Sequence, residues 1–177
     1  MQNTLLNTDS VIIIGAGQAG FQVAHSLRQA SYSSKITLIG DEAYLPYQRP
    51  PLSKGYLQGG HDEESLLLRQ ADFYTQNDIE IITEQRVDSI NRSEKYVQFG
   101  SSKLHYTHLV LATGARVRKL NTDLDGVVYI RSLDDAKNIK TRMETAQNIV
   151  VIGGGFIGLE FAAIARKFGK KIGRAHV

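Results

Sequence analysis

The stretch Val11-Ile12-Ile13-Ile14-Gly15-Ala16-Gly17-Gln18-Ala19-Gly20 decides the fold. Four consecutive β-branched apolar residues read as a strand covered on both faces, because a half-exposed strand would alternate with polar residues. The glycines that follow have the spacing G-x-G-x-x-G. Gly15 permits a tight turn out of the strand, Gly17 lets a pyrophosphate approach the backbone, and Gly20 lets the next helix lie close to the sheet. Phe21, Val23, Ala24 and Leu27 then recur at helical spacing. The N-terminus of that helix would offer free N–H groups and partial positive charge to an anion. The motif also requires a carboxylate about 20 residues further on for ribose hydroxyls. Asp41 stands 21 positions beyond Gly20, with Glu42 as a less well placed reserve. A lone glycine motif also arises in structural turns; the strand before it, the helix after it and the acid at this offset set this one apart.

Outward from this unit, Lys35–Ile39 reads as a second strand parallel to the first, and residues 79–83 as another. Residues 86–111 alternate apolar and polar, with turn signals at Asn91-Arg92-Ser93 and Gly100-Ser101-Ser102, which predicts an antiparallel meander grafted onto the parallel sheet. His105 and His108, three apart in one strand, would face opposite ways, so no metal site is expected. Ser132 with Asp135 forms a capping-box signal that opens a helix over residues 135–147. That helix leads into a second copy of the opening pattern: Ile149-Val150-Val151-Ile152, then Gly153-Gly154-Gly155-Phe156-Ile157-Gly158, then Leu159, Ala162, Ala163 and Phe168 on one helix side.

The expected fold is therefore α/β: a Rossmann-like unit of parallel sheet plus antiparallel meander, followed by the truncated start of a second Rossmann-like unit. The expected boundaries are 10–118 for the first domain, 119–145 for a connector and helix, and 146–171 for the first strand and helix of the second. No second strand is expected there, so the acid that would choose between a ribose hydroxyl and a 2′-phosphate lies outside it.

Composition narrows the chemistry. The 177 residues are 42% hydrophobic and 22% charged with net charge +3, the profile of an ordinary globular protein. No apolar run approaches the roughly 20 residues of a membrane span, and MQNTLLNTDS lacks both the basic and the apolar region of a secretory signal, so a cytoplasmic protein without a membrane partner is expected. The sequence pI of about 9.1 is not accompanied by any basic run, so no specific nucleic-acid partner is expected. Zero cysteines exclude disulfides, cysteine-ligated metal, a thiol nucleophile and a redox dithiol from these residues. All three prolines, Pro46, Pro50 and Pro51, stiffen one loop.

Two glycine units bracketing a meander, with Leu109-Val110-Leu111-Ala112-Thr113-Gly114, resemble the FAD-dependent pyridine nucleotide-disulfide oxidoreductase superfamily. The loop DEAYLPYQRPPLSKGYL at residues 41–57 is similar to its ferredoxin and rubredoxin reductase branch. Glu64-Ser65-Leu66 through Arg69, Arg131-Ser132-Leu133 and GGGFIGLE extend the likeness, and RPPLSK is its most specific element. The resemblance implies FAD at Gly15, Ala16, Gly17, Ala19 and Gly20, with Asp41 at the adenosine ribose, Val87 near the adenine, and Ala112, Thr113 and Gly114 at the cofactor. It also implies that Arg49 and Lys54 reach FAD from the proline loop and that Arg131 contacts its phosphates or ribityl chain. NAD(P)H would lie at Gly153, Gly155 and Gly158, with Glu160 beside the nicotinamide. Lys54 and Glu160, the implied catalytic pair, would form an ion pair across the FAD and NAD units. Disulfide reductases of the superfamily carry a redox dithiol where this chain has YQRPPLSKGYL. Electrons would instead leave for a separate acceptor, a ferredoxin or rubredoxin serving an oxygenase. Apoptosis-inducing factor and monodehydroascorbate reductase look similar at the same loop. A flavoprotein with a non-reductase role and a flavin monooxygenase are the alternatives.

The tail Ile172-Gly173-Arg174-Ala175-His176-Val177 back-translates to the start of a widely used short-read sequencing adapter. The expectation is adapter read-through at residues 172–177, with the chain a fragment of a longer reductase that by itself is inactive, poorly soluble and weak in retaining flavin. Resequencing the locus should replace these codons with coding sequence for a longer protein; their recovery from an intact genomic clone would refute this.

Overall fold

The computed structural model describes residues 9–175, so the N-terminal signal reading falls largely outside the described residues, as do His176 and Val177. The chain divides into two compact units, one of residues 1–47 and 67–114, the other of residues 48–66 and 115–177. The segment 48–66, placed by the sequence reading within the domain 10–118, thus belongs with the second unit.

In the first unit, β1 (Ser10–Ile14) leads through the glycine turn into α1 (Gln18–Gln29) and back to β2 (Lys35–Ile39). Beyond residues 48–66, whose last turn is α2 (Glu63–Leu66), come α3 (Ala71–Gln76) and β3 (Ile79–Ile82). β4 (Ser89–Asn91), β5 (Tyr96–Phe99) and β6 (Ser102–His105) form a separate antiparallel sheet. β7 (His108–Leu111) pairs parallel with β1 and completes a parallel sheet in the order β3-β2-β1-β7. The single strand expected to hold both histidines is therefore two strands in two sheets. Thr107 makes the break: its hydroxyl donates to the Ser10 carbonyl at 2.8 Å and accepts from the Ser10 N–H.

The apolar run of β1 is covered on both sides, as its composition requires. Val11 and Ile13 pack with Ile36, Leu38, Phe21, Ala24 and Tyr74 on the helix face. Ile12 and Ile14 pack with Ile39, Val97 and Phe99 on the meander face. Each of the buried Val, Ile, Leu and Phe side chains contributes about 1.5–3 kcal/mol. At the other end of the sheet, the Arg28 guanidinium donates to the carbonyls of Tyr32, Ser34, Asn77 and Asp78 at 2.5–2.8 Å, tying the entries of β2 and β3 to the end of α1.

The second unit contains a 3-10 turn (Pro50–Ser53), α4 (Leu133–Thr145), β8 (Asn148–Ile152), α5 (Phe156–Lys167) and β9 (Lys171–Ala175). The capping box of α4 is present: the Asp135 N–H donates to Ser132 Oγ and the Asp135 carboxylate accepts from the Ser132 N–H. β9 corrects the expectation that regular structure stops at the helix. Gly169, at φ +74, turns the chain out of α5, and β8 offers an open edge whose backbone groups pair with residues 171–175 in parallel register. Ile172 packs beside Ile149 against the cluster of Leu57, Ile139, Met143, Ile164 and Ala165. Among the described residues no helix is long and apolar enough to cross a membrane.

Ile13→Ala should cost about 2–5 kcal/mol in denaturant unfolding, whereas Ile90→Ala, at a 38% exposed position, should stay within about 0.5 kcal/mol. Burial pushes Tyr74 up to about 12, and its hydroxyl has no partner. The stabilisation from keeping it neutral is complete below the ordinary tyrosine value near 10 and is lost as pH rises toward 12. Tyr74→Phe should melt no lower than wild type at pH 7 and lose less stability between pH 10 and 12.

Candidate dinucleotide-binding sites

The first unit gathers its candidate residues at the C-terminal ends of β1, β2 and β7, where open α/β sheets hold ligands. Gly15 has φ +112, and a Cβ there would sit 2.2 Å from the Ala112 carbonyl oxygen, which draws Ala112 and Thr113 against the turn. At Gly20 a Cβ would stand 2.0 Å from the Gly15 carbonyl oxygen. At Gly40, a residue the sequence reading missed, it would meet the Ala16 side chain at 2.6 Å. A lone glycine between a strand and a candidate acid was the available signal. These three close approaches seat α1 directly on the strand ends. Gly17 differs: it is the N-cap of α1, no side chain caps the helix, and a Cβ at Gly17 would find nothing within 4 Å.

Asp41 follows Gly40 and is exposed. The chain after β3 brackets it, with the Gln85 N–H donating to the Gly40 carbonyl and the Glu84 N–H to the Glu42 carbonyl. This brings Val87, half-buried against the meander core, to the same end of the unit. Glu42 accepts from the Tyr47 hydroxyl at 2.5 Å, whereas the neighbouring Asp41 is exposed at the strand end. Gly114, at φ +67, carries the chain away from the site.

In the second unit Gly153 has φ +102, and Gly155, the uncapped N-cap of α5, has open space where a Cβ would stand. Gly158 is looser than its counterpart Gly20, with Val151 Cγ1 at 3.2 Å and the Gly153 oxygen at 3.4 Å. Lys54 Nζ lies 3.4 Å from Glu160 Oε1, so the expected ion pair is present. Both partners lie in the second compact unit. Ser53, to which the sequence reading gave no role, donates to Glu160 Oε2 at 2.8 Å. Arg49 donates to the Arg131 carbonyl at 2.8 Å, and Arg131 Nε donates to the Ala115 carbonyl at 3.0 Å. Among the described residues no group of histidine and acidic side chains could hold a metal.

Residues 9–175 match the family described as pyridine nucleotide-disulphide oxidoreductase. The chain belongs to this family. Its pyridine nucleotide-disulphide oxidoreductase relatives include rhodocoxin reductase of Rhodococcus erythropolis, 47% identical over 164 residues, with 90% of this chain and 38% of the relative covered. Rubredoxin-NAD(+) reductase of Pseudomonas putida is 40% identical over 167 residues, with coverage of 92% and 43%. The crystal structure of the ferredoxin reductase for the CYP199A2 system from Rhodopseudomonas palustris superposes with a TM-score of 0.90 at 50% identity, covering 94% of this chain and 42% of that one. The chain thus spans about two-fifths of the length of these relatives.

The glycine geometry separates positions confined by packing from positions facing open space. Gly20→Ala should destabilise by about 1–3 kcal/mol or more. Gly17→Ala and Gly155→Ala should each cost about 1 kcal/mol or less, the price of a poorer N-cap. Thermal melts of the three variants check this order.

Proposed function

We propose that the protein is a cytoplasmic NAD(P)H-dependent FAD reductase that passes electrons to a small iron–sulfur protein, a ferredoxin or rubredoxin, serving an oxygenase. The supporting observation is the pair Gly17 and Gly155. Each caps a helix without a side-chain partner, and neither needs to be glycine for the protein's own packing. A ligand backbone or phosphate filling that space explains why both lack a Cβ. The relatives named for rubredoxin and ferredoxin support the acceptor class.

Bound FAD supplies the chemistry that takes two electrons from a nicotinamide and releases them singly. The α1 N-terminus at Gly17, with Ala16 and Ala19 beside it, would hold the pyrophosphate, and Asp41 would accept the ribose hydroxyls. Val87 would lie along the adenine, and Ala112, Thr113 and Gly114 would border the cofactor. Arg49, Lys54 and Arg131 are assigned to the same cofactor by resemblance. The α5 N-terminus at Gly155, between Gly153 and Gly158, would hold the NAD(P)H pyrophosphate. Glu160 would orient the nicotinamide and hold the Lys54 ammonium, a cation suited to stabilise developing negative charge. No side chain need act as general base, because neither nucleotide gives up a proton to the protein in reaching the reactive arrangement.

The full-length protein should bind FAD and reduce a ferredoxin or rubredoxin with NADH in a steady-state assay. Flavin binding without turnover of any acceptor would sink the reductase reading and favour the non-reductase alternative. Gly17→Ala should weaken FAD binding about tenfold or more, the equivalent of 1.4 kcal/mol, and Gly155→Ala should weaken NAD(P)H binding similarly while FAD is retained.

A further inference from the structure

Two consecutive residues hold the two oxygens of one carboxylate inside the second unit. Lys54 Nζ stands 3.4 Å from Glu160 Oε1, and Ser53 Oγ donates to Glu160 Oε2 at 2.8 Å. These partners are not equivalent. The Lys54 side chain is 53% exposed and moves on a flexible four-carbon stem, so its pairing in water contributes little and selects no single carboxylate orientation. Ser53 is 7% exposed and has a single side-chain torsion to fix. Its backbone is set by Pro50 and Pro51, by the Leu52 N–H on the Arg49 carbonyl at 3.0 Å and by the Lys54 N–H on the Pro51 carbonyl at 2.9 Å. Leu52, 2% exposed, anchors the same turn.

We propose that Ser53 is a positioning residue: its hydroxyl fixes the Glu160 carboxylate and presents the opposite oxygen to Lys54, acting through Glu160 and not on cofactor or substrate. A carboxylate held by an ammonium alone turns about its terminal torsion and exchanges oxygens, because that torsion is broad. A buried hydroxyl on a stiff turn removes this freedom. It carries one proton, which it commits to Oε2, and the remaining lone pairs of Glu160 stay available to a bound group. The proline loop thereby restrains α5 at one side-chain position, and the sequence adjacency of Ser53 and Lys54 acquires a mechanical meaning.

This proposal rests on the reading that the Lys54–Glu160 pair serves reduction by NAD(P)H. Its test uses the full-length flavin-loaded protein with Ser53→Ala, Ser53→Thr, Glu160→Ala and the double variant Ser53→Ala/Glu160→Ala. In stopped-flow reduction by NADH, Ser53→Ala should slow flavin reduction about tenfold, the size expected for losing a hydrogen bond to a charged group. The dissociation constant of NAD+ should be unaltered, and Ser53→Thr, which keeps the hydroxyl, should recover most of the rate. In the Glu160→Ala background Ser53→Ala should have no further effect. Thermal melts of the cofactor-free wild type, Ser53→Ala, Glu160→Ala and the double variant should be non-additive, since each single change removes the same hydrogen bond. An equal slowing by Ser53→Ala with and without Glu160, or additive melts, would overturn the positioning role. So would wild-type rates in Ser53→Ala alongside a slow Glu160→Ala. If Glu160→Ala and Lys54→Met both reduce flavin at the wild-type rate, the underlying reading fails and the proposal falls with it.

Discussion

The first unit depends on the approach of one helix to the end of one strand. The Gly15 carbonyl lies so near Gly20 that no β-carbon fits between them, and Gly15 and Gly40 are confined in the same way by Ala112 and Ala16. This backbone-on-backbone contact does two things at once. It closes the helix face of the sheet over Val11, Ile13, Ile36 and Leu38, and it sets an uncapped helix N-terminus at the edge where β1, β2 and β7 finish. The orphan N–H groups of that terminus need a partner, and an anionic ligand is the partner their dipole favours. Fold stability and candidate function therefore share a cause.

The second unit repeats the pattern under weaker constraint. A Cβ at Gly158 would come no nearer than 3.2 Å to any neighbour, and among the described residues β8 pairs only with β9. A two-stranded ribbon is marginal by itself. Val150 and Ile152 are accordingly 65% and 46% exposed, while Leu57, Ile139, Met143, Ile164 and Ala165 are buried together in one cluster. Helix packing and the proline loop, more than the sheet, organise this half of the chain. That arrangement gives Ser53 a fixed place from which to hold Glu160.

Much of the first unit was legible because its signals are local. The run 11–14, the glycine spacing and KITLI each carry their own period, and the structure forms β1, α1 and β2 where those periods lie. The capping box at Ser132 and Asp135 was equally plain, since three residues specify it. Illegible features depend on partners distant in sequence. His105 and His108 look like one strand until Thr107 bonds across to Ser10. Ile172-Gly173 is poor strand material, yet the open edge of β8 makes it one. Arg28 reads as a surface residue at a helix end, and its four carbonyl partners come from turns up to 50 positions away.

The amino-acid order alone indicated the class of the fold, two glycine turns opening helices, and Asp41 as a candidate acid, each from spacing, residue size or charge that survives without a third dimension. The Lys54–Glu160 partnership came instead from the family resemblance, and its 3.4 Å contact from the structure. Folding settled which glycines are confined by the protein's own packing and which face open space, because that distinction is a distance to a neighbour across the sheet. It likewise settled that Glu42 serves Tyr47 while Asp41 stays exposed, and that Ser53 shares Glu160 with Lys54. Hydrogen bonds between residues 107 positions apart leave no trace in a linear pattern; they exist only where packing has already brought the two groups together.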